Sequence, residues 1–370
     1  MGDMGATFKI ALMGDAMLDR DVQTHFFSNP GDFHFTEINA ILADYDLRFL
    51  NLENPLAVNG SPHPQQQPRV TFRSHPKTVQ ILQNLNIDAV TLANNHILDH
   101  GPDALAETLE HLDRVNIRHV GAGRDFAEAN APLKIETNGV KLAILGYTYI
   151  YSLSSDIAKA GRPGLSDHRI EHILTQIRQL KSDGYIVLVT VHWGIKYGFF
   201  PVPYKQRQAR EMIDAGASLI VGHGPHYPNG IENYNDGQII YSLGNFIFDE
   251  PYFYANRSFV YGVEIDEYGK ILHAEMYPYR ISNQVPQMMH GREKQWLENR
   301  ICILGRLYQQ KDAAFWQGVS DRWFRELLYR SRFMRSLKFL KLPPKEFFLK
   351  EVSYSNYAKY VLAKVKSHVL

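Results

Sequence analysis

The chain has 370 residues, of which 45% are hydrophobic and 21% charged, a composition that excludes intrinsic disorder. A single cysteine, Cys302, excludes an internal disulfide framework and a zinc site built from thiolates. No run approaches the roughly 20 apolar residues that a transmembrane helix needs.

The net charge of +1 hides a division along the chain. Residues 291–370 contain 17 Lys and Arg against 7 Asp and Glu, whereas residues 1–290 contain 23 against 32. An acidic body followed by a basic tail is the strongest sign of a domain boundary in this sequence. We therefore predict a body over residues 1–285 and a basic, mainly helical C-terminal extension over residues 286–370.

Short apolar runs alternate with amphipathic stretches along the body. Runs bounded by Gly, Asn or Asp predict strands at residues 9–13, 47–52, 89–92, 141–147, 186–191, 219–221 and 238–243. Apolar spacing near 3.6 predicts helices at residues 75–84, 101–116, 169–182 and 206–215. Strands that alternate with helices favour an α/β layered fold, and the strand-rich stretch over residues 241–280 predicts mixed sheets.

Polar residues follow several of these strands at the point where each strand ends. They are Asp15, Glu53, Asn94, Asn95, His96, His192, His223 and His226. Side chains from separate strands converge at the carboxyl edge of an α/β sheet, where ligands bind. Carboxylate, amide and imidazole groups are metal ligands, so this set is typical of a site for two metal ions.

Each of these residues also has a purely structural interpretation when it is taken alone. A histidine at a strand end is more often a structural residue than a ligand. The Asn94-Asn95 pair fits a turn, since Asn tolerates left-handed backbone conformations, and Asp15 fits a helix cap. Only the joint pattern favours a metal site.

Six blocks in order carry a resemblance to a known family. They are Gly14-Asp15, Asn51-Leu52-Glu53, Leu92-Ala93-Asn94-Asn95-His96 with Asp99 and Gly101, His192-Trp193-Gly194, Gly222-His223-Gly224-Pro225-His226, and Tyr241-Ser242-Leu243-Gly244-Asn245-Phe246 with Phe248-Asp249. They resemble the CapA family of poly-γ-glutamate and capsule synthesis proteins, within the metallophosphatase-like superfamily. The resemblance covers residues 8–250 and extends towards residue 280, and the basic tail lies outside it.

The resemblance implies a fold and a metal centre. The fold would be two packed mixed β-sheets flanked by helices, in α-β-β-α order. The centre would hold divalent metal ions, two in number, chosen among Mn, Fe, Zn and Mg. The resemblance implies Asp15 on one metal, Glu53 as the bridging carboxylate, Asn95 and His192 on the second metal, and His223 and His226 divided between the two.

Three further residues complete the expected site. His96 looks like the general acid that protonates the leaving oxygen, and Asp99 is close enough on a helical turn to orient that imidazole. Arg73 would meet an anionic substrate oxygen, although a solvated charge at a strand end explains it equally well.

Two departures from the superfamily pattern bear on metal loading. The superfamily has a histidine two residues after the first Asp, where this chain has Met17, a poor ligand for a hard ion. The final Gly-His-x-His of the superfamily is His223-x-x-His226 in this chain. The first departure, Met17, also looks typical of CapA relatives. A site that binds one metal ion, or that is weakly occupied, therefore stays an alternative.

The basic tail leaves two alternatives. Cations and aromatic or aliphatic residues alternate over residues 329–345, which is typical of a basic amphipathic helix that lies on anionic lipid. The same pattern fits a helix that docks on the acidic body, and the opposite charges of body and tail favour this second alternative. We expect no nucleic-acid partner, because no recognition motif is present.

We therefore expect a metal-dependent hydrolase, phosphoesterase-like, in the synthesis or processing of a capsular polymer or exopolymer such as poly-γ-glutamate or an anionic polysaccharide. The alternative is a non-catalytic accessory subunit that binds the polymer or a membrane-bound polymer synthase complex. No basic segment followed by an apolar run precedes the first strand, so we expect no signal peptide and a location in the cytoplasm or peripheral to the membrane.

Overall fold

This computed structural model describes residues 6–63, 70–137, 139–149, 156–311, 314–319 and 321. The chain divides into two compact units, Met1–Gln310 and Lys311–Leu370. The first unit runs past residue 285, where we predicted the body to end. Most of the basic tail, including residues 329–345, lies outside the described residues.

The strands of the first unit range from 2 to 12 residues in length. In chain order they are β1 (Thr7–Ala16), β2 (Leu47–Leu52), β3 (Ala89–Thr91), β4 (Arg118–Val120), β5 (Ala122–Gly123), β6 (Leu133–Thr137), β7 (Val140–Thr148), β8 (Gly164–Leu165), β9 (Ile186–His192), β10 (Ala217–His223), β11 (Ile231–Tyr234), β12 (Gly237–Ile240), β13 (Asn245–Ile247), β14 (Arg257–Asp266), β15 (Ile271–Ser282) and β16 (Val285–Met288).

Two of the sheets are mixed. The larger has the order β16-β15-β14-β1-β2-β3-β4, and β13 pairs with the end of β1. Strands β1 to β4 run parallel, whereas β14 is antiparallel to β1. The second sheet has the order β11-β12-β10-β9-β7-β6, with parallel pairing from β7 to β12. A small antiparallel pair joins β5 and β8.

Helices flank the two sheets. They are α1 (Arg20–Ser28), α2 (Thr36–Leu42), α3 (Val79–Asn84), α4 (Gly101–Arg114), α5 (Phe126–Asn130), α6 (Ile170–Ser182), α7 (Pro203–Asp214) and α8 (Gly291–Gln310). Two short 3₁₀ turns lie at Pro30–His34 and Pro76–Thr78.

Alternation along the strands produces two hydrophobic layers, because successive side chains point to opposite faces of a sheet. Between the sheets, Leu12 and Phe49 pack with Ile144, Leu188 and Val221. On the outer face of the larger sheet, alternate residues pack against α1 to α4; these residues include Met13, Leu50 and Val90. This arrangement confirms the predicted α-β-β-α architecture.

The segment after residue 285 begins as part of the same unit. Strand β16 pairs antiparallel with β15, and α8 follows it. Near the end of α8, the Tyr308 hydroxyl donates to the Phe199 carbonyl at 2.7 Å, which fixes the helix to the loop after β9. Among the described residues, no helix is both long and apolar enough to cross a bilayer.

Candidate metal centre

Two rows of polar residues face each other where the parallel strands of the two sheets end. In the larger sheet, Asp15 of β1 is in register with Asn51 on one side and Asn245 on the other. In the second sheet, His192 of β9 is in register with His223 of β10. Packing the sheets face to face therefore brings a row of one carboxylate and two amides against a row of imidazoles.

Asp15 links the two rows. Its side chain is fully buried, and its Oδ1 lies 2.9 Å from His223 Nδ1 and accepts from Asn51 Nδ2 at 2.9 Å. Its Oδ2 accepts from the Gly224 backbone N–H at 3.3 Å. Burial by itself opposes ionisation, but the hydrogen bond with His223 and the neighbouring imidazoles outweigh it and hold the pKa of Asp15 below its usual range. Asp15 is therefore a carboxylate.

Glu53, which follows β2, lies at the centre of the imidazoles. The Nε2 atoms of His192 and His226 are each 3.8 Å from Glu53 Oε1, and His96 Nε2 is 4.0 Å from it. These separations are too long for hydrogen bonds. Neither oxygen of this buried carboxyl has a hydrogen-bond partner among the described residues.

The environment of Glu53 shifts several protonation equilibria. Burial raises the pKa of Glu53 well above its usual range, and the nearby Asp15 carboxylate raises it further. Burial lowers the pKa of His192 and of His226, so both imidazoles are held neutral. Neutral imidazoles carry a nitrogen lone pair, which is the form that binds metal ions.

The clustered carboxylate and imidazole groups have the donor atoms that a cation requires. Asp15, Glu53 and His192 offer ligand atoms that all lie within 4.8 Å of one another. The Nε2 of the buried His223 also has no hydrogen-bond partner among the described residues. Unpaired buried acceptors are costly unless a positive group meets them. The buried Asp, Glu and His cluster is therefore compatible with divalent metal binding.

His96 and Asp99 form a buried pair beside Glu53. His96 Nδ1 lies 2.7 Å from Asp99 Oδ2, which also accepts from the Phe72 backbone N–H at 2.8 Å. The Phe72 ring packs against the imidazole with centroids 4.3 Å apart. Asp99 and Phe72 thus restrict the orientation of His96 and direct its Nε2 towards Glu53.

The two asparagines before His96 differ in their surroundings. Asn94 is fully buried and donates to Asn51 Oδ1 at 3.0 Å and to the Leu52 carbonyl at 2.7 Å. Its own Oδ1 accepts from the backbone N–H of His96, so it fixes the loop that holds the imidazole. Asn95 is partly exposed in the same loop, and its role as a ligand stays a prediction.

Two arginines lie near the cluster. Arg73, predicted to meet substrate, directs Nη1 to the carbonyls of Val58, Asn59 and Gly60 at 3.2 to 3.3 Å. Arg20, which sequence analysis did not select, forms an ion pair with Asp249. The sequence contains no motif that distinguishes these two roles.

Arg20 packs on the same aromatic ring as His96. Its guanidinium lies 4.6 Å above the Phe72 ring, on which His96 also packs. Its buried Nε has no hydrogen-bond partner among the described residues, and its backbone φ of 54° is unusual for a residue with a side chain.

Met17 occupies the position where the superfamily has a histidine. It is fully buried in the hydrophobic layer on the outer face of the larger sheet. Its sulfur accepts from the Asp19 backbone N–H at 3.2 Å. Met17 is therefore a core residue that helps to turn the chain after β1.

Comparisons with known proteins show the family to which this chain belongs. The family described as "Bacterial capsule synthesis protein PGA_cap" matches residues 9–250. The PGA biosynthesis protein CapA of Bacillus subtilis is 33% identical over 241 residues, which cover 65% of this chain and 63% of the relative. The chain therefore spans less than two thirds of that relative's length.

A second relative and a solved structure are also similar to this chain. A Mycobacterium tuberculosis relative named "Probable polyglutamine synthesis accessory protein" is 29% identical, covering 71% of this chain and 73% of the relative. The crystal structure of a novel phosphatase from Mycoplasma pneumoniae has a TM-score of 0.46 and 13% identity, covering 85% of this chain and 100% of the other.

The match over residues 9–250 includes every block that carried the predicted resemblance, from Gly14-Asp15 to Phe248-Asp249. It confirms the family that those motifs indicated. The chain belongs to the bacterial capsule synthesis protein family, within the metallophosphatase-like superfamily.

Proposed function

We propose that the protein is a metal-dependent hydrolase, phosphoesterase-like, that acts in the synthesis or processing of a capsular polymer or exopolymer such as poly-γ-glutamate or an anionic polysaccharide. The observation that carries the proposal is Glu53. Its buried carboxyl lies within 4.0 Å of three imidazole nitrogens and has no hydrogen-bond partner among the described residues.

The ligands in this proposal are Asp15, Glu53, Asn95, His192, His223 and His226. A divalent cation bound there would polarise a phosphoester oxygen and favour ionisation of a water molecule near neutral pH. The chain's own residues supply the remaining chemistry. His96 would hold a proton at Nε2 for the leaving oxygen while Asp99 accepts from Nδ1, which keeps the imidazole oriented.

The test pairs metal content with hydrolysis of a generic phosphodiester. We expect full-length protein purified after growth with Mn and Zn to contain at least about one equivalent of transition metal and to hydrolyse bis-p-nitrophenyl phosphate. We expect His96→Ala to retain the metal and to lose activity by about 10²–10⁴-fold, the usual contribution of a general acid. We expect His223→Ala to lose both.

His273→Ala is the control, because that histidine is exposed on β15, away from the cluster. Unchanged activity in both His96→Ala and His223→Ala would show that the proposed mechanism is wrong.

A second candidate is a non-catalytic accessory subunit of a polymer synthase. Met17 favours this candidate, because the chain lacks a histidine ligand at that position. The name of the mycobacterial relative, an accessory protein, favours it as well. Metal content far below one equivalent, together with no hydrolysis by the wild type, would support this candidate over the hydrolase.

A further inference from the structure

The side chain of Asn245 connects the metal cluster to a second set of charged residues. Its Oδ1 lies 2.8 Å from His226 Nδ1, and its Nδ2 donates to Glu250 Oε2 at 3.3 Å. Asn245 begins β13 and is in register with Asp15, so the larger sheet fixes its backbone beside the cluster. The Tyr279 hydroxyl also donates to its carbonyl at 2.8 Å.

Glu250 determines which end of the Asn245 amide faces which neighbour. Lys196 Nζ lies 3.1 Å from Glu250 Oε1, and the Tyr197 hydroxyl donates to the same oxygen at 2.6 Å. Burial alone would raise the pKa of Glu250, but Lys196 and the other donors lower it to about 2. An ionised carboxylate only accepts hydrogen bonds, so Asn245 must direct its NH₂ group to Glu250.

The orientation of Asn245 then determines the state of His226. With Nδ2 committed to Glu250, the amide oxygen faces His226 Nδ1, and an oxygen acceptor requires that this nitrogen carry the proton. A neutral imidazole has one N–H, so the lone pair is on Nε2. Nε2 is the nitrogen that lies 3.8 Å from Glu53 Oε1.

The opposite tautomer would remove a ligand from the cluster. A proton on Nε2 would point towards the Glu53 carboxyl, whose Oε1 is 3.8 Å away, and would leave no lone pair on that side of the ring. Residues that hydrogen-bond the non-ligating nitrogen of a histidine commonly set its tautomer, and their loss lowers metal affinity by about 10–100-fold.

We propose that Asn245, oriented by Glu250, is a positioning residue that fixes His226 in the Nδ1–H tautomer and so presents its Nε2 lone pair to the metal cluster. The consequence for metal affinity rests on the proposed function, whereas the tautomer itself is a property of the metal-free protein.

The experiment reads the tautomer directly. ¹⁵N-histidine-labelled full-length protein, stripped of metal with EDTA, is examined by long-range ¹H–¹⁵N correlation, with the His226 signals identified from a His226→Gln sample. We expect His226 to carry its proton on Nδ1 in the wild type. We expect Asn245→Ala to populate the Nε2–H form and to raise the dissociation constant for Zn²⁺, measured by calorimetry, by at least about tenfold.

Two variants separate positioning from folding. Asn245→Asp combined with Glu250→Gln reverses the donor and acceptor between the two positions while keeping an acceptor against His226, so we expect the wild-type tautomer to return. Asn130→Ala removes a buried amide side chain that donates to the Phe126 carbonyl and accepts from the Asp167 N–H, and we expect no change in the His226 signals.

The outcomes distinguish this inference from the proposed function. A wild-type His226 protonated on Nε2 would overturn the inference even if Asn245→Ala failed to fold. An unchanged tautomer and Zn²⁺ affinity in a folded Asn245→Ala protein would overturn it as well. A wild type with the expected tautomer that binds no Zn²⁺ would support the inference and contradict the metal-dependent hydrolase.

Discussion

At the level of single residues, Glu53 has the least favourable environment in the cluster. Its side chain is 1% exposed, and no described group donates to it, whereas Asp15 accepts from Asn51 and Gly224. The two buried carboxyls therefore differ in the charge state that their surroundings favour. Asp15 is stabilised as an anion by its neighbours, and Glu53 requires a proton or a cation.

Replacing Glu53 by Gln tests this difference. We expect Glu53→Gln to raise the free energy of unfolding of the metal-free protein at neutral pH by about 1–3 kcal/mol, because the wild-type carboxyl must either take up a proton or stay ionised without a hydrogen bond, and the amide does neither. Urea unfolding after EDTA treatment measures it. With Mn²⁺ present, the wild type should have the higher free energy of unfolding, because only the wild type gains the free energy of binding the ion.

Glu267→Gln, in the surface turn after β14, serves as the control and should change neither value. A metal-free Glu53→Gln protein that is less stable than the wild type would show that Glu53 makes a stabilising contact in the apo state.

Arg20 and Arg73 can be ranked as anion-binding residues by kinetics. Arg20 stacks on the ring that supports His96, whereas Arg73 directs Nη1 to three backbone carbonyls. We expect Arg20→Gln to raise KM for the phosphodiester about tenfold, the loss of one hydrogen bond to a charged group, and Arg73→Gln to raise it less than about threefold. A larger effect in Arg73→Gln would support the substrate contact predicted from sequence and leave Arg20 as a partner of Asp249 alone.

At the level of elements, the strand ends position the cluster, and glycines allow their close approach. A Cβ built on Gly14 would lie 2.0 Å from the Gly244 carbonyl oxygen, which accepts from the Asp15 N–H at 2.8 Å. Strand β13 can therefore lie beside the end of β1 only when residue 14 has no side chain.

Gly14→Ala tests this contact. We expect a loss of about 2–3 kcal/mol in the free energy of unfolding, because the added methyl must displace backbone. Zn²⁺ affinity should fall at least tenfold, because Asp15 moves with the strand. Thermal unfolding and calorimetry measure the two effects. Gly31→Ala, where an added Cβ meets nothing within 4 Å, is the matched control. Wild-type stability in Gly14→Ala would show that the contact between β1 and β13 does not require a glycine at residue 14.

The strands themselves show what local sequence predicts and what it does not. Strand β2 begins and ends at the predicted residues, because its apolar run is bounded by polar residues on both sides. The strand predicted over residues 238–243 instead ends at Ile240, and β13 follows after a turn at Gly244 with φ of +68°. Strand β13 then joins the other sheet. Apolar periodicity indicates a strand but contains no information about its partners.

At the level of the whole molecule, the pH dependence of stability should include a contribution from Glu250. Its folded pKa of about 2 lies below the ordinary value of about 4.3, so the ionised carboxylate stabilises the fold. That contribution is fully present above about pH 4.3 and is lost as the pH falls towards 2.

We expect the difference in unfolding free energy between wild type and Glu250→Gln to be constant from pH 6 to about 5 and to shrink at pH 3. Urea titrations at these pH values measure it. A difference that does not vary with pH would mean that Glu250 titrates alike in the folded and unfolded chains.

The sequence by itself determined the family, the α-β-β-α class and the residues Asp15, Glu53, His192, His223 and His226, which the structure brings together. Ordered blocks at strand ends are local patterns, and parallel strands bring their ends to one edge. Only the tertiary structure decided the contacts of Asn51 with Asp15, Asn245 with His226, Glu250 with Lys196 and Arg20 with Asp249, because the two members of each pair lie on different elements. Asp15 and His223 are 208 residues apart in the chain and 2.9 Å apart in space. Contacts of that kind arise only when two sheets, each specified locally, pack through the hydrophobic layer between them.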